Sequence, residues 1–205
     1  MDEAVGMKRR HLIRPVQPPR SAFAGFRFPP EVILIAVRWY LRYGLSYRDL
    51  EELLAERGIE VDHVTLFRWV QRFAPLLIDA ARPFRHRVGT HWLVDETYVK
   101  VSGTWRYAYR AIDRAHALVR VVTDLLPAAL HDTTQYANNR VEADHGRLKA
   151  RLRPMRGLKH DRTASVVIRG HAFIQNLRRG HYELGVNALP GLTLAAAFDE
   201  LAQVV

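Results

Sequence analysis

The sequence predicts an α+β or α/β protein with a helical N-terminal part and a mixed strand-and-helix part after it. Residues 31–80 repeat apolar side chains at helical spacing, residues 91–124 are rich in β-branched and aromatic residues, and helical periodicity returns from residue 138. These patterns divide the chain into five segments: a flexible leader (1–25), a trihelical domain (26–80), a linker (81–90), a mixed core (91–185) and a C-terminal tail or helix (186–205).

The composition indicates a globular protein with a polyanionic partner. The 205 residues include 31 Lys and Arg against 21 Asp and Glu, a formal net charge of +10, which favours nucleic acid ahead of anionic membranes. No apolar run reaches the length of a bilayer span, and the start MDEAVGMKRR lacks the apolar core of a signal peptide, so we expect a cytoplasmic protein without a membrane partner. The absence of Cys excludes disulfides and Cys-ligated zinc but leaves oxygen-ligated metals open.

The leader and the first two helices follow from local signals. Five prolines in the first 30 residues predict little fixed structure before Phe26. The run EVILIAVRWYLRYG predicts a buried helix that ends at Gly44. In SYRDLEELLAERG, Ser46 and Asp49 have the spacing of a capping box, which predicts a second helix that ends at Gly58.

The segment IEVDHVTLFRWVQRFAPLL predicts a third helix, and its inward residues are expected to be Val64, Phe67, Val70 and Phe73. Two helices joined by a short Gly-containing turn have the layout of a helix-turn-helix unit, in which the third helix enters the major groove of DNA. Its outward groups are then His63, Thr65, Arg68, Gln71 and Arg72. The alternative is a trihelical packing module whose charges are solvated.

The middle of the chain predicts β-structure. The runs HWLVDETYVKV and TWRYAYRAID, with Gly103 between them, predict a hairpin, and residues 117–124 predict a third strand. All four tryptophans lie in periodic apolar surroundings and are expected in the core: Trp39, Trp69, Trp92 and Trp105.

Two helices are predicted after the strands. NNRVEADHGRLKARLRP predicts a helix ended by Pro154, and a further helix spans residues 163–179 and ends at Gly180. His171 within it is expected to be a core or interface residue rather than a ligand. The basic stretch 149–162 is either a solvated face or a surface that contacts the DNA backbone, and its charge density favours DNA.

Three carboxylates stand at the element positions that metal-dependent chemistry uses. Asp95 lies inside the first strand, Asp124 ends the third strand, and Glu142 lies in the first turn of a helix. Asp is depleted in strands, and when buried it needs a metal ion or a cation as partner, whereas an exposed one needs only solvent. Hard divalent ions take such oxygen ligands. Glu142 has an alternative role, because Asn139 precedes it at the spacing of a capping box.

Three stretches stand in the order of a known family: FRFPPEVILIAVRWYLRYGLSYRDLEELLAERGIEVDHVTLFRWVQRFAP, WLVDETYVKVSGTWRYAYRAID and QYANNRVEADHGRLKARLRPMRGLK. They resemble the small bacterial insertion-sequence transposases of the DDE type. In that family a helix-turn-helix domain precedes a ribonuclease-H-like catalytic core. The resemblance extends from residue 26 to residue 184.

The resemblance implies a polynucleotidyl transferase that cleaves and joins DNA with Mg²⁺ or Mn²⁺. It implies Asp95, Asp124 and Glu142 as catalytic residues and metal ligands. It also implies a homo-oligomer assembled on DNA, with the terminal inverted repeats of its element and target DNA as partners. With the basic stretch added, the expected DNA-binding residues are His63, Thr65, Arg68, Arg72, Arg147, Lys149, Arg151, Arg153, Arg156 and Lys159.

The chain also departs from the family pattern. The family has a further strand, a helix and another strand between the hairpin and the catalytic helix, and the second Asp ends the last of these strands. Here Glu142 follows Asp124 by only 18 positions (142 − 124), which predicts a shortened core. The alternative function is therefore a non-catalytic DNA-binding remnant or a helix-turn-helix regulator. The motifs VDETY and NNRVEADH favour the enzyme, since a simple regulator has no use for them.

Overall fold

The computed structural model describes residues 21–87, 92–113, 118–122, 139–153, 155 and 157–205. Helices and one small sheet make up this part of the chain, in agreement with the predicted α+β class. Their order is α1 (Pro30–Arg42), α2 (Tyr47–Ala55), α3 (His63–Ala80), a 3₁₀ turn (Arg82–Phe84), β1 (Trp92–Val101), β2 (Thr104–Asp113), β3 (Leu118–Val122), α4 (Asn139–Leu152), α5 (Asp161–Arg178) and α6 (Thr193–Ala202). None of these helices is long and apolar enough to cross a membrane.

The predicted capping box at the start of α2 is present, and α3 has a cap that was not predicted. The Ser46 hydroxyl accepts a hydrogen bond from the Asp49 N–H (3.1 Å), and the Asp49 carboxylate accepts one from the Ser46 N–H (2.8 Å), which completes the capping box of α2. Asp62 caps α3 by accepting hydrogen bonds from the N–H groups of Val64 and Thr65. The hydroxyl and N–H of Thr65 lower the pKa of the Asp62 carboxyl.

The inward face of α3 is turned relative to the prediction. Val70 and Phe73 are buried as expected, but Val64 is 44% exposed and Phe67 is 36% exposed, so the prediction for these two was wrong. The buried residues of α3 are Leu66, Trp69, Val70, Phe73, Ala74 and Leu77. Their spacing follows the helical period, and it leaves Val64 and Phe67 on the surface together with the polar residues.

The main hydrophobic core is shared between the two ends of the chain. Side chains of α5 and α6 are buried against α1 and α3 in a single cluster. At Gly170 in α5 an added Cβ would clash with the Leu41 side chain of α1, so the two helices approach each other closely. Phe198 of α6 is fully buried, so residues 186–205 include a core helix rather than a tail. Helices before and after residue 80 thus contribute to one core.

Two other predicted segments are also tied into the structure. Phe23, assigned to the leader, is 5% exposed and stacks on Phe73 with ring centroids 4.7 Å apart. Residues 1–20 lie outside the described part of the chain. In the predicted linker, the Phe84 carbonyl accepts a hydrogen bond from the Glu183 N–H (2.8 Å), and the His86 N–H donates to the His181 carbonyl (3.1 Å). The linker therefore begins as a short backbone pairing with residues 181–183.

The sheet has the order β1-β2-β3, and both pairs are antiparallel. Ser102 and Gly103 both have positive φ (50° and 81°), the conformation of a two-residue hairpin turn. One face of the sheet forms a second core with α4 and α5. The opposite face carries Tyr98, Trp105 and Tyr107, which are 49%, 61% and 59% exposed.

The tryptophans divide into buried and exposed cases. Trp69 is 3% exposed and Trp39 is half-buried, but the expectation of a core position was wrong for Trp105. The side chain of Trp92 lies outside the described part of the structure. His171, in contrast, is buried in α5 at 4% exposure, which confirms a core histidine.

Candidate catalytic and DNA-binding surfaces

Asp95 lies on the face of β1 that packs against the helices. Side chains alternate along a strand, so Asp95 shares its face with Thr97, Val99 and Val101, which are buried. The Asp95 carboxylate lies 3.6 Å from Nδ1 of His145 on α4, and the two side chains are 30% and 8% exposed. Its other oxygen accepts a hydrogen bond from the Glu96 N–H (2.8 Å). A strand carboxylate is thus held against the predicted catalytic helix while part of it stays open to solvent.

Glu142 lies in the first turn of α4, near the residue of that helix that contacts Asp95. His145 contacts Asp95, and Leu148, one turn later, is buried in the cluster that holds Val99. The helix therefore runs in the same direction as β1. Glu142 precedes His145 by three residues, about 5 Å along the helix axis, and it is exposed. Glu142 therefore lies about one helical turn from the residue of α4 that contacts Asp95. The side chain of Asn139, the alternative capping partner, is not described.

The third predicted ligand, Asp124, lies outside the described residues, as does Arg156. The strand before Asp124 is β3, which ends at Val122 and pairs with β2 on the side away from β1. Where the structure describes the chain, no three His, Asp or Glu side chains form a group that could hold a metal ion. The structure therefore brings Asp95 and α4 together, and the third carboxylate stays a prediction.

Sequence reasoning missed the contribution of His145 and Asp144. Asp144 is fully buried, and its carboxylate lies 3.2 Å from the Arg179 guanidinium of α5. His145 is the residue of α4 that contacts Asp95. The available signal was the spacing, because His145 follows Glu142 by three positions and residues i and i+3 lie on one face of a helix.

The outward groups predicted on α3 are exposed or half-buried, and most have local contacts. His63 lies 3.0 Å from the Glu51 carboxylate. The Thr65 hydroxyl donates to the Asp62 carboxylate (2.6 Å). The Arg72 guanidinium stacks over the Phe26 ring at 5.3 Å. Arg68 is exposed beside a surface depression of about 360 Å³ lined also by Thr65. Among these groups, Arg68 presents its charge most openly.

In the basic stretch from Arg147 to Lys159, four of the residues predicted to contact DNA have exposed side chains. These are Arg147, Lys149, Arg153 and Lys159. Arg151 is different, because it is only 6% exposed. Its guanidinium donates to the Tyr40 carbonyl of α1 and lies 4.5 Å from the centre of the Tyr40 ring, which in turn stacks on Tyr47. Burial lowers the pKa of Arg151 and raises the pKa of Tyr40.

The prediction that Arg151 contacts DNA phosphates does not fit this position. Arg151 belongs to the inward face of α4 with Asp144, His145 and Leu148, since these positions repeat at helical spacing. A charge run in sequence thus divides between two faces of the helix. Arg151 instead fixes α4 to the N-terminal helices.

We expect Arg151→Ala to lower the free energy of unfolding by about 2–4 kcal/mol, because a buried hydrogen bond from a charged group and a ring contact are both lost. Urea unfolding of the full chain measures this change. Arg153→Ala is the matched control, since that side chain is exposed on the same helix, and it should change the free energy by less than about 0.5 kcal/mol. Equal effects of the two substitutions would contradict the structural role of Arg151.

Comparison with known proteins shows which family this chain resembles. A profile of the DDE domain matches residues 89–124 and 115–181, a region that includes Asp95 and Glu142. The transposase of insertion sequence-like element IS431mec from Staphylococcus aureus is 35% identical over 169 residues, which cover 61% of this chain and 75% of that protein. This chain belongs to the insertion-sequence transposases of the DDE type. A second S. aureus relative of this transposase, that of IS257 in transposon Tn4003, is 34% identical with the same coverage. No solved structure matches it.

The alignment with the IS431mec transposase also shows that the aligned region is shorter in this transposase. Sixty-one per cent of its 205 residues is about 125, so about 44 of the 169 aligned positions (169 − 125) have no counterpart in it. The DDE profile matches in two segments that share residues 115–124. A missing internal piece, predicted from the 18-residue interval between Asp124 and Glu142, agrees with this count.

The residues of this transposase fit the divalent ions that its family uses. Asp95 and Glu142 supply hard oxygen donors, and both are open to solvent in part or in full. The buried partners of Asp95 orient its carboxylate without enclosing it. Two carboxylates and water molecules are enough ligands for one such ion.

Proposed function

We propose that this chain is a DNA-binding transposase in which Asp95 and Glu142, with Asp124, hold the Mg²⁺ or Mn²⁺ used to cleave and join DNA strands. The contact between Asp95 and His145 carries the proposal. It places a strand-borne carboxylate against the helix that presents Glu142, and it gives the Asp in β1 a reason other than solvent exposure. The membership of the chain in the DDE-type family supports the same assignment.

In this proposal the residues around the carboxylates position the DNA. The Glu96 N–H and the His145 ring orient the Asp95 carboxylate. Exposed Arg147 and Lys149 follow Glu142 along α4 and hold the phosphates next to the scissile bond. When bound, divalent ions in such sites activate a water or 3′-hydroxyl nucleophile and stabilise the leaving oxygen.

We further propose that α1–α3 act as the helix-turn-helix unit that recognises element ends. The short turn between α2 and α3 and the exposed Arg68 support this role. The partners are then the terminal inverted repeats and the target DNA, with copies of the chain assembled on them. Three of the predicted DNA-binding side chains already have partners within the protein. To contact DNA they must leave these partners or bind DNA in addition to them: Thr65, His63 and Arg72.

The same geometry supports weak catalysis by this shortened copy. Strands in a sheet lie about 4.8 Å apart, so β3 is roughly 10 Å from β1, across β2. Val121 is level with Asp95, because both pair with Arg110. The strand that precedes Asp124 in the sequence is therefore separated from Asp95 by the width of β2. Two-metal chemistry needs ions about 4 Å apart, so we propose that strand transfer is impaired.

Metal binding tests the assignment of the carboxylates directly. We expect Asp95→Asn to weaken Mn²⁺ binding by the full chain at least tenfold, as measured by electron paramagnetic resonance titration, because an anionic ligand becomes a neutral amide. Glu96→Gln is the matched control. Glu96 is the next residue, but it points to the opposite face of β1, where it accepts a hydrogen bond from the Tyr98 hydroxyl (3.1 Å). Equal Mn²⁺ affinity of the two variants would remove the proposed site.

A further inference from the structure

Three arginines meet where the ends of α1 and α5 approach α4. Arg42 is the last residue of α1, Arg178 is the last residue of α5, and Arg147 lies on α4. Arg42 and Arg178 line a cleft of about 420 Å³ whose opposite wall is the first turn of α6. The cleft thus joins helices from both ends of the sequence around one group of cations.

Among the described residues, no carboxylate pairs with the guanidinium groups of this cluster, those of Arg42, Arg147 and Arg178. Burial, followed by repulsion from Arg42, Arg147 and Arg179, lowers the pKa of the Arg178 guanidinium. Four other arginines do form ion pairs in the described part of the chain, among them Arg82 with Asp79 at 2.8 Å. Folding therefore holds like charges together, which a bound polyanion would stabilise.

The surroundings of the cluster suit a phosphodiester chain. The first turn of α6 begins without a side-chain cap, so the positive end of that helix faces the cleft. The Arg42 guanidinium carbon lies 5.1 Å from the centre of the Tyr43 ring, and Tyr43 is 50% exposed. The guanidinium group therefore stacks on a surface ring. Planar guanidinium groups bind phosphate oxygens through paired hydrogen bonds.

We propose that Arg42, Arg147 and Arg178 form one binding site for the phosphate backbone of DNA, shared by the N-terminal helices and the helix that carries Glu142. Arg147 is five residues after Glu142 on α4, about 7.5 Å along the axis. The proposed phosphate site and Glu142 thus lie on the same helix, little more than one turn apart. The inference rests on the proposed function, because it takes DNA as the polyanion.

The test is a salt titration of DNA binding by the full chain. Fluorescence anisotropy with a labelled 20-base-pair duplex in EDTA separates binding from any metal-dependent chemistry. We expect R42Q/R178Q to reduce affinity about tenfold or more and to make the log–log salt slope shallower by about 2, as two phosphate contacts are lost. Two duplexes of unrelated sequence should lose affinity equally, since backbone contacts do not read bases.

The matched control is R82Q/R106Q, which removes two arginine charges that Asp79 and Asp161 already pair. It should change affinity less than threefold. Equal losses in the two double variants, or a loss confined to one duplex sequence, would overturn the proposed site. Thermal unfolding checks that R42Q/R178Q is folded, and R147Q, at an exposed position, gives a second and independent variant. The titration is made in EDTA and the catalytic proposal is tested separately by Mn²⁺ binding, so a failure of the arginine site is distinguishable from a failure of the catalytic proposal.

Discussion

A fragment of residues 21–87 is expected to be largely unfolded at 25 °C, although it contains all of α1, α2 and α3. Its core is completed from outside by side chains of α5 and α6, among them Phe173, Ile174, Leu177, Phe198 and Leu201. Each such buried side chain contributes about 1.5–3 kcal/mol, and a whole domain is stable by only about 5–15 kcal/mol. Loss of five such contributions, about 7.5–15 kcal/mol, is comparable to that whole margin. Far-UV circular dichroism during a urea titration measures the result.

A complementary fragment provides the control for this prediction. Residues 157–205 carry both α5 and α6, so mixing them with residues 21–87 should restore helical signal and a cooperative unfolding transition. Each fragment alone should lack that transition. Cooperative unfolding of residues 21–87 alone would show that the N-terminal helices form an independent domain, as the sequence pattern predicted.

Sequence patterns predicted what depends on near neighbours. The capping box of Ser46 and Asp49, the hairpin around Gly103 and the helix ends near Pro154 and Gly180 all arise from residues a few positions apart. Their energies are local, so one sequence contains enough information for them.

Features that depend on distant residues were not predicted. Arg151 reads as part of a basic run, yet it is buried against Tyr40, a residue 111 positions away in the sequence. Trp105 reads as a core residue, yet it lies on the outer face of the sheet. Asp95 lies in the predicted strand, but its contact with His145 was not predicted, since only the packing of α4 on β1 brings them together.

Strand transfer by this chain is expected to be at least about 100-fold slower than transfer by a full-length relative on the ends of that relative's own element. The physical reason is that β3, the strand that precedes Asp124 in the sequence, is separated from β1 by β2. A displacement of about 1 Å in a catalytic site already costs on the order of a hundredfold in rate. DNA binding does not depend on this geometry and should persist, with a steep dependence on salt.

The effect of the missing piece is separable from other differences between the proteins. Removing the roughly 44 unmatched positions from the S. aureus IS431mec transposase should reduce its strand transfer to the level of this chain. Its DNA affinity in EDTA should stay within about threefold, because phosphate contacts do not depend on the geometry of the metal site. Undiminished strand transfer after that deletion would show that the internal piece is not needed for the site.

The most direct measurement is Mg²⁺- or Mn²⁺-dependent cleavage and joining of element-end DNA by the purified full chain, compared with D95N and with the E96Q control. The account of a DNA-binding transposase with an impaired core predicts weak activity for the unaltered chain and for E96Q, and none for D95N. Robust strand transfer that D95N abolishes would contradict the impaired core. Activity that D95N leaves unchanged would contradict the assignment of Asp95 itself.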